Sequence, residues 1–325
     1  MEVGCTAIVV YSRALAVKSL AVSNPPRSVT VSSPAKINLF LAVTGRRDDG
    51  YHDLVSLVAP LTFGDELTAE VENRVARAEE QFRLECDVPE VPVDGRNLVL
   101  QAAAALREVT GWTEPVMFRL TKRIPLGAGL GGGSSNAVAA LRALNQLSGA
   151  GLGLGQLTGL AARVGSDCAL FLHDQPVIIR GRGERVEELP GSAVRRLRGR
   201  RVLLFKPAGF GVNTAWAYAQ MAAGAPATYL AAADAERRLA DWIAGEADAT
   251  DLLFNNIDRV VFRKYLALPV MWERLRTRYG LAACLSGSGS AGFALLPPDA
   301  PVEAIAADIR EAWGSGALVQ VAQIA

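Results

Sequence analysis

Five glycines fall in the seven positions from Gly127 to Gly133, inside the run Pro125-Leu-Gly-Ala-Gly-Leu-Gly-Gly-Gly-Ser-Ser-Asn136. Glycine has no Cβ, so such a run lets backbone N–H groups close around a bulky anion. A helix is expected from Ser134 to Leu147, because serine caps helix starts and Ala137, Val138, Leu141, Leu144 and Leu147 share one helical face. Its start would add unpaired amides and the positive end of a dipole. Ser134 and Ser135 supply hydroxyls, and Lys122 and Arg123 precede the run. No Asp or Glu occurs from Pro115 to Ser166. This is chemistry for holding a polyphosphate.

Other phosphate binders fit less well. Gly127, Gly129 and Gly132 spell a dinucleotide-type GxGxxG, but no acidic residue to hold a ribose follows before Asp167. A Walker loop would need Lys-Ser/Thr after the glycines, and the HRD and DFG motifs of protein kinases are absent. Asp167 follows a helix expected at Gln156–Val164 and stopped by Gly165, where a carboxylate could take a proton.

The elements that must position these residues alternate along the chain. Strands are expected at Val29–Val43 (with a polar break at Ser32-Ser33-Pro34), Leu67–Val71, Gln81–Cys86 and Val116–Leu120, and a helix at Asn97–Val109. Arg46-Arg47-Asp48-Asp49-Gly50 reads as a charged turn. The arginines at 195, 196, 198, 200 and 201 read as a solvated connector without the aromatics of a nucleic-acid surface. A strand from Val202 then leads into helices at Thr214–Met221, Ala231–Ile243 and Asp258–Tyr265. Leu281–Leu296 closes the pattern as strand, glycine turn and strand.

With 325 residues, two domains are expected. A net charge of +1 advertises neither nucleic acid nor an acidic membrane. Cys5, Cys86, Cys168 and Cys284 lack CxxC spacing and read as reduced thiols in a cytoplasmic protein. Two histidines are too few for a multi-histidine metal site, and no long uncharged apolar run suggests a membrane span. Residues 1–27 read as a poorly ordered extension.

Three separated motifs resemble those of the GHMP kinase superfamily: Ser33-Pro34-Ala35-Lys36-Ile37-Asn38-Leu39, the glycine run, and Leu285-Ser286-Gly287-Ser288-Gly289. The resemblance is closest to the branch acting on cytidine-diphosphate methylerythritol. It rests there on Gly45-Arg-Arg-Asp-Asp-Gly-Tyr51-His52, Gly131–Asn136, Gly165-Ser-Asp167 and Gly181-Arg-Gly-Glu184, and runs from Ser28 to the C-terminus.

The resemblance implies an α+β fold in two domains. A mixed α/β ATP-binding domain would span 28–190, and a C-terminal antiparallel sheet with helices, completing the substrate cleft, would span 191–325. It implies ATP with Mg²⁺ as phosphoryl donor and a small-molecule alcohol, the 2-hydroxyl of 4-diphosphocytidyl-2-C-methylerythritol, as acceptor in non-mevalonate isoprenoid synthesis. Asp167 would be the base and Lys36 its cationic partner. ATP would meet Pro125, Leu126, Gly127, Ala128, Gly129, Leu130, Gly131, Gly132, Gly133, Ser134 and Ser135, with Asn97 beside adenine; Ser135 is a guess for a metal ligand. Substrate would meet Asn38, Tyr51, His52, Thr214 and Tyr218, while Gly287, Ser288 and Gly289 would close over its phosphates or brace the glycine loop.

Departures from the family pattern are the N-terminal extension, Asn213 in place of serine, a long loop at Gly209-Phe210-Gly211, and Gly292 in place of a larger apolar residue. Alternatives are a related kinase acting on homoserine or a mevalonate derivative, and a non-catalytic nucleotide-binding protein. The Tyr51-His52 pair speaks against the first, and intact Lys36 and Asp167 against the second.

Overall fold

The computed structural model describes residues 27–74, 77 and 81–325; Cys5 and the expected extension up to residue 26 lie outside them. Its spine is a long antiparallel hairpin, β1 (Ser28–Arg46) with β2 (His52–Val71), joined by the charged turn. There Gly50 takes φ +86° and the Asp49 carboxylate accepts the Tyr51 N–H at 3.1 Å, as an Asp-Gly turn requires. The expected break at Ser32-Ser33-Pro34 is instead a shift of register between Pro34 and Lys36 within one continuous strand. Gly64 lies opposite Pro34, and a Cβ there would come 2.4 Å from the Ser33 carbonyl oxygen. Glycine at 64 thus admits the close approach of the Ser33–Pro34 backbone. Leu67–Val71 proves to be the end of β2, not a strand of its own.

The chain continues through β3 (Phe82–Cys86), α1 (Leu98–Thr110), β4 (Val116–Thr121), α2 (Gly132–Ser148) and α3 (Leu154–Val164). A 3-10 turn at Ala169–Leu172 then leads to β5 (Val177–Gly181) and β6 (Arg185–Glu188). Next come α4 (Gly191–Leu197), β7 (Arg201–Lys206), α5 (Thr214–Ala223), α6 (Ala232–Ala244), α7 (Ala249–Leu252) and β8 (Phe254–Asn255). The last elements are α8 (Asp258–Lys264), α9 (Ala267–Tyr279), β9 (Ala283–Leu285), β10 (Gly292–Leu295), α10 (Val302–Trp313) and β11 (Leu318–Gln323).

Two sheets result. The first runs β3-β4-β2-β1-β8, with β5 on β2 and β6 on β5; the second runs β11-β7-β10-β9, all antiparallel. The fold is therefore the expected α+β, a mixed sheet with helices followed by an antiparallel sheet with helices. Apolar faces of α1, α2 and α3 form one core with the first sheet, and α9 and α10 pack on the second. β8, from the C-terminal half, pairs parallel with β1 through Phe40 and Leu41.

The arginine cluster is solvated only in part: Arg195 and Arg198 are exposed, but the segment is the helix α4 and others of its arginines are engaged. Ala193, Val194 and Leu197 share a buried face of α4, Arg196 lies 4.2 Å from the Trp242 ring, and Arg200 pairs with Asp248. Helical periodicity and aromatic stacking use residues whose charge alone suggested exposure. Cys86, Cys168 and Cys284 are free, and burial pushes the Cys168 thiol up to about 11 and Cys284 up to about 12. Among the described residues no helix is long and apolar enough to cross a membrane.

The departure at Gly292 has a packing cause. A Cβ there would lie 2.3 Å from the Trp272 ring and 2.8 Å from that of Phe205. Gly292→Ala should cost about 1–3 kcal/mol through overpacking, read as a lower urea midpoint, and a Trp272→Leu background should reduce that cost. An equal loss in both backgrounds would refute the ring as its cause.

Candidate active site

Strand alternation puts Lys36 and Asn38 on one side of β1. Lys36 is 4% exposed, and its Nζ donates to Asn38 Oδ1 at 2.6 Å and to the Gly129 carbonyl at 2.7 Å. Asn38 in turn donates from Nδ2 to Ser56 Oγ at 2.9 Å, which fixes its amide orientation. Burial pulls the Lys36 ammonium below the usual lysine range, and the charge of Asp167 opposes that shift. No salt bridge joins Lys36 to Asp167 among the described residues, so the expected partnership acts across space.

Asp167 sits where the sequence suggested, two residues past the Gly165 that ends α3. It is half-buried. Gly183, at φ +108°, gives it room: a Cβ there would approach Asp167 Oδ1 to 3.3 Å. Asp167 lines two neighbouring cavities. The inner one, about 130 Å³, is also bounded by Lys36, Asn38, Gly129, Gly131, Gly287 and Ser288. The outer one, about 940 Å³, is bounded by Tyr51, His52, Arg46, Arg182, Ala219 and others. Leu54, Thr214 and Tyr218 also border both.

The glycine loop is held by its carbonyls. Ala128 O accepts from Ala291 N at 3.0 Å, Gly129 O from Lys36 Nζ and from Ser286 Oγ at 3.0 Å, and Leu130 O from Lys36 N at 3.0 Å. These peptides are trans, and a trans peptide points its C=O and the following N–H in opposite directions. The N–H groups of Gly129, Leu130 and Gly131 therefore face away from those donors. Among the described residues no N–H from Gly127 to Ser134 makes a backbone hydrogen bond. A row of free amides at the start of α2 is a ready anion site.

The helix itself starts at Gly132, two residues before the expected Ser134, with Gly131 at φ +74° in the cap position. Serine hydroxyls are thus not the cap. Ser135 is buried, and its Oγ accepts from Ser33 Oγ at 2.9 Å. Ser134 remains half-exposed on the first turn, with exposed Gly133 before it, while Pro125 and exposed Leu126 lead into the loop. Asn97 caps α1: its Oδ1 accepts from Val99 N at 2.9 Å and its Nδ2 donates to the Pro92 carbonyl at 2.6 Å.

Lys122 is not free for phosphate. It is buried in a salt bridge with Asp65 and also donates to Asn136 Oδ1 at 3.2 Å. Asp65 further accepts from Arg123 N at 2.7 Å, Ile124 N at 2.8 Å and Asn136 Nδ2 at 2.9 Å. The stretch without acids around the loop is acid-free in sequence only, because β2 brings Asp65 to it. Nothing local marked Asp65, since its partners lie far along the chain.

The Gly287-Ser288-Gly289 turn packs on the glycine loop. A Cβ on Gly129 would come 2.0 Å from the Ser286 carbonyl oxygen, and one on Gly287 would lie 3.2 Å from both Gly129 O and Lys36 Nζ. Asn255 Nδ2 holds the turn through the Leu285 and Gly287 carbonyls, each at 2.8 Å. Thr214 Oγ1 and Ser288 Oγ are 2.8 Å apart. Of the two readings open from the sequence, bracing is the one these contacts support.

The outer cavity gathers the aromatic residues. Tyr51, at the hairpin tip, is 54% exposed, and the Arg182 guanidinium lies 4.8 Å from its ring centre. His52 packs 4.9 Å from the Tyr218 ring, and burial, helped by the charge of Arg46, pulls its imidazole below the usual histidine range. Burial likewise pushes the Tyr218 phenol upward, so it stays protonated. Arg46 and Arg182 stood inside the quoted Gly45–His52 and Gly181–Glu184 motifs; Asn255 carried no separate signal. Asn213, the departure from serine, caps α5 by accepting from Trp216 N at 2.8 Å.

Residues 97–182 match the family model "GHMP kinases N terminal domain" and residues 233–315 match "GHMP kinases C terminal". A 4-diphosphocytidyl-2-C-methyl-D-erythritol kinase of Chlorobium phaeobacteroides (strain BS1) is 36% identical over 285 residues, 87% of this chain and 94% of the relative. A crystal structure of 4-(cytidine 5'-diphospho)-2C-methyl-D-erythritol kinase matches with TM-score 0.70 at 33% identity, covering 91% of this chain and 100% of that one. A homoserine kinase from Cytophaga hutchinsonii ATCC 33406 matches with TM-score 0.71 at 19% identity, covering 94% and 98%. The last shows a shared fold alone.

Breaking a buried ion pair on one side strands the other charge. Asp65→Ala should therefore destabilise the protein by about 3–5 kcal/mol, seen as a lower denaturant midpoint, and Lys122→Met in the same background should restore part of it. No change on removing Asp65 would contradict the hub.

Proposed function

We infer the activity from one premise: the chain belongs to the GHMP kinases and, within them, to the 4-diphosphocytidyl-2-C-methyl-D-erythritol kinase family. It transfers the γ-phosphate of ATP to the 2-hydroxyl of 4-diphosphocytidyl-2-C-methyl-D-erythritol, a step of isoprenoid precursor synthesis. The observation that carries the reading is that one carboxylate, Asp167, borders both the Lys36–glycine-loop cavity and the outer cavity.

In the proposed reaction the acceptor hydroxyl attacks the γ-phosphorus, its proton passes to Asp167, and ADP leaves as the bond to the β-phosphate oxygen breaks. The Lys36 ammonium offsets charge growing on the transferred group. The free amides before and in the first turn of α2 receive the ATP phosphates. Mg²⁺, accompanying ATP, would supply positive charge to the transferring phosphoryl group. Among the described residues no cluster of three His, Cys, Asp or Glu stands ready to hold it.

The outer cavity would take the cytidine diphosphate. Its volume of about 940 Å³ lies at the upper end of small-molecule sites, which run from about 300 to 1,000 Å³, and far exceeds what homoserine needs. Tyr51 offers a ring to stack on cytosine. A neutral His52 offers one donor and one acceptor to its edge.

ADP release with ATP, Mg²⁺ and the cytidine substrate is the test, beside Asp167→Asn. The variant should lose about 10²–10⁴-fold in kcat while still binding ATP, and CDP should compete with the alcohol. Turnover of homoserine or mevalonate in its place would keep the kinase and overturn the substrate. Because the His52 imidazole is held below its ordinary 6.5, the wild-type KM for the cytidine substrate should stay flat through neutral pH and rise only below that value. A rise beginning above pH 7 would count against a neutral His52.

A further inference from the structure

Lys206, at the end of β7, is a buried cation that the proposed reaction does not use. It is 7% exposed and has no salt bridge among the described residues. Its Nζ donates to two carbonyls of the segment that follows it, Pro207 at 3.1 Å and Phe210 at 2.8 Å. The Phe210 carbonyl also accepts from the buried Ser290 Oγ at 3.0 Å, and the Phe210 ring stacks on Tyr265 at 5.3 Å and 2°. A buried charge without a counter-ion is costly unless its hydrogen bonds are well used. Here they fold residues 207–211 into a fixed loop.

That loop stands against the glycine loop. A Cβ on Gly211 would lie 2.9 Å from the Gly127 carbonyl oxygen, and one on Gly127 would lie 3.7 Å from Gly211 Cα. Beyond the contact, Val212 is buried, Asn213 caps α5, and Thr214 reaches Ser288. One face of this segment thus supports the start of the glycine loop, and its end sets the helix that borders the outer cavity.

We propose that Lys206 is a positioning residue for ATP: it locks the 207–211 loop as a backing wall that keeps the Gly127–Ser134 amides in their phosphate-receiving arrangement. The proposal rests on the glycine loop being the ATP site. Amides that are pre-arranged bind without an ordering cost, so a wall that yields should weaken ATP without touching the alcohol or the chemical step.

The test compares wild type with Lys206→Met, which keeps the stem and removes the donors, and with Gly211→Ala, which presses a methyl on Gly127 while leaving Lys206 in place. ATP affinity is read by titration calorimetry, and KM for each substrate and kcat by ADP release. Each variant should weaken ATP binding by about tenfold, equivalent to 1.4 kcal/mol, with kcat and the KM for the alcohol changed less than about twofold. An equal rise in both KM values, or a fall in kcat with ATP affinity intact, would make the loop merely structural and overturn the proposal. Tight wild-type ATP binding indifferent to both substitutions overturns the role of Lys206 alone. A folded wild type that does not bind ATP overturns the glycine-loop reading and this inference together.

Discussion

The buried carboxylate of Asp65 is the constraint on which the site depends. It collects the Lys122 ammonium, two consecutive backbone amides at Arg123 and Ile124, and the Asn136 side chain. Those groups belong to three different pieces: the residue that follows β4, the run into the glycine loop, and the start of the second turn of α2. One anion on β2 thereby sets where the loop leaves the sheet and where the helix begins. A buried carboxylate is tolerable only when its lone pairs are met by such donors. Replacing any donor would leave a charge that the surrounding apolar core cannot solvate.

From that anchor the glycine loop is held on its carbonyl side by Lys36, Ser286 and Ala291, which leaves its amides free. The glycines of the loop then serve two separate purposes. Gly129 and Gly131 lie so close to Ser286, Phe171 and Lys36 that no Cβ fits, and both take positive φ. Gly133, on the exposed side, meets only Leu98 at 3.8 Å, so its value is an unobstructed approach to the amides. Packing and ligand access are divided between neighbouring residues of one motif.

Much of this was legible in the chain. The glycine run, the Gly165 stop before Asp167, the Asp-Gly turn and the strand–turn–strand at Leu281–Leu296 are local signals, written in residues that the same few positions use. What was not legible is what the fold assembles from afar. Lys122 and Ser135 resemble phosphate ligands in sequence, yet their polar atoms are engaged by Asp65 and Ser33, which arrive on the hairpin. The arginines after Pro190 look solvated until α6 supplies Trp242 to cover one of them. Family resemblance placed Asn97 near adenine; the structure shows its side chain occupied in capping α1.

Backbone similarity separates the possible substrates less well than the surface of the outer cavity does. A homoserine kinase with 19% identity superposes as well as a relative with 33%, so the shared fold alone does not set the substrate. The groups that would discriminate under the proposed function sit at the tip of the β1–β2 hairpin and on α5, where Tyr51, His52 and Tyr218 line a cavity several times larger than the inner one. Distance matters in the inner cavity too. With the Lys36 ammonium donating to Asn38 and Gly129, Asp167 is left on the wall that the two cavities share, which is the position the proposed proton acceptor would need.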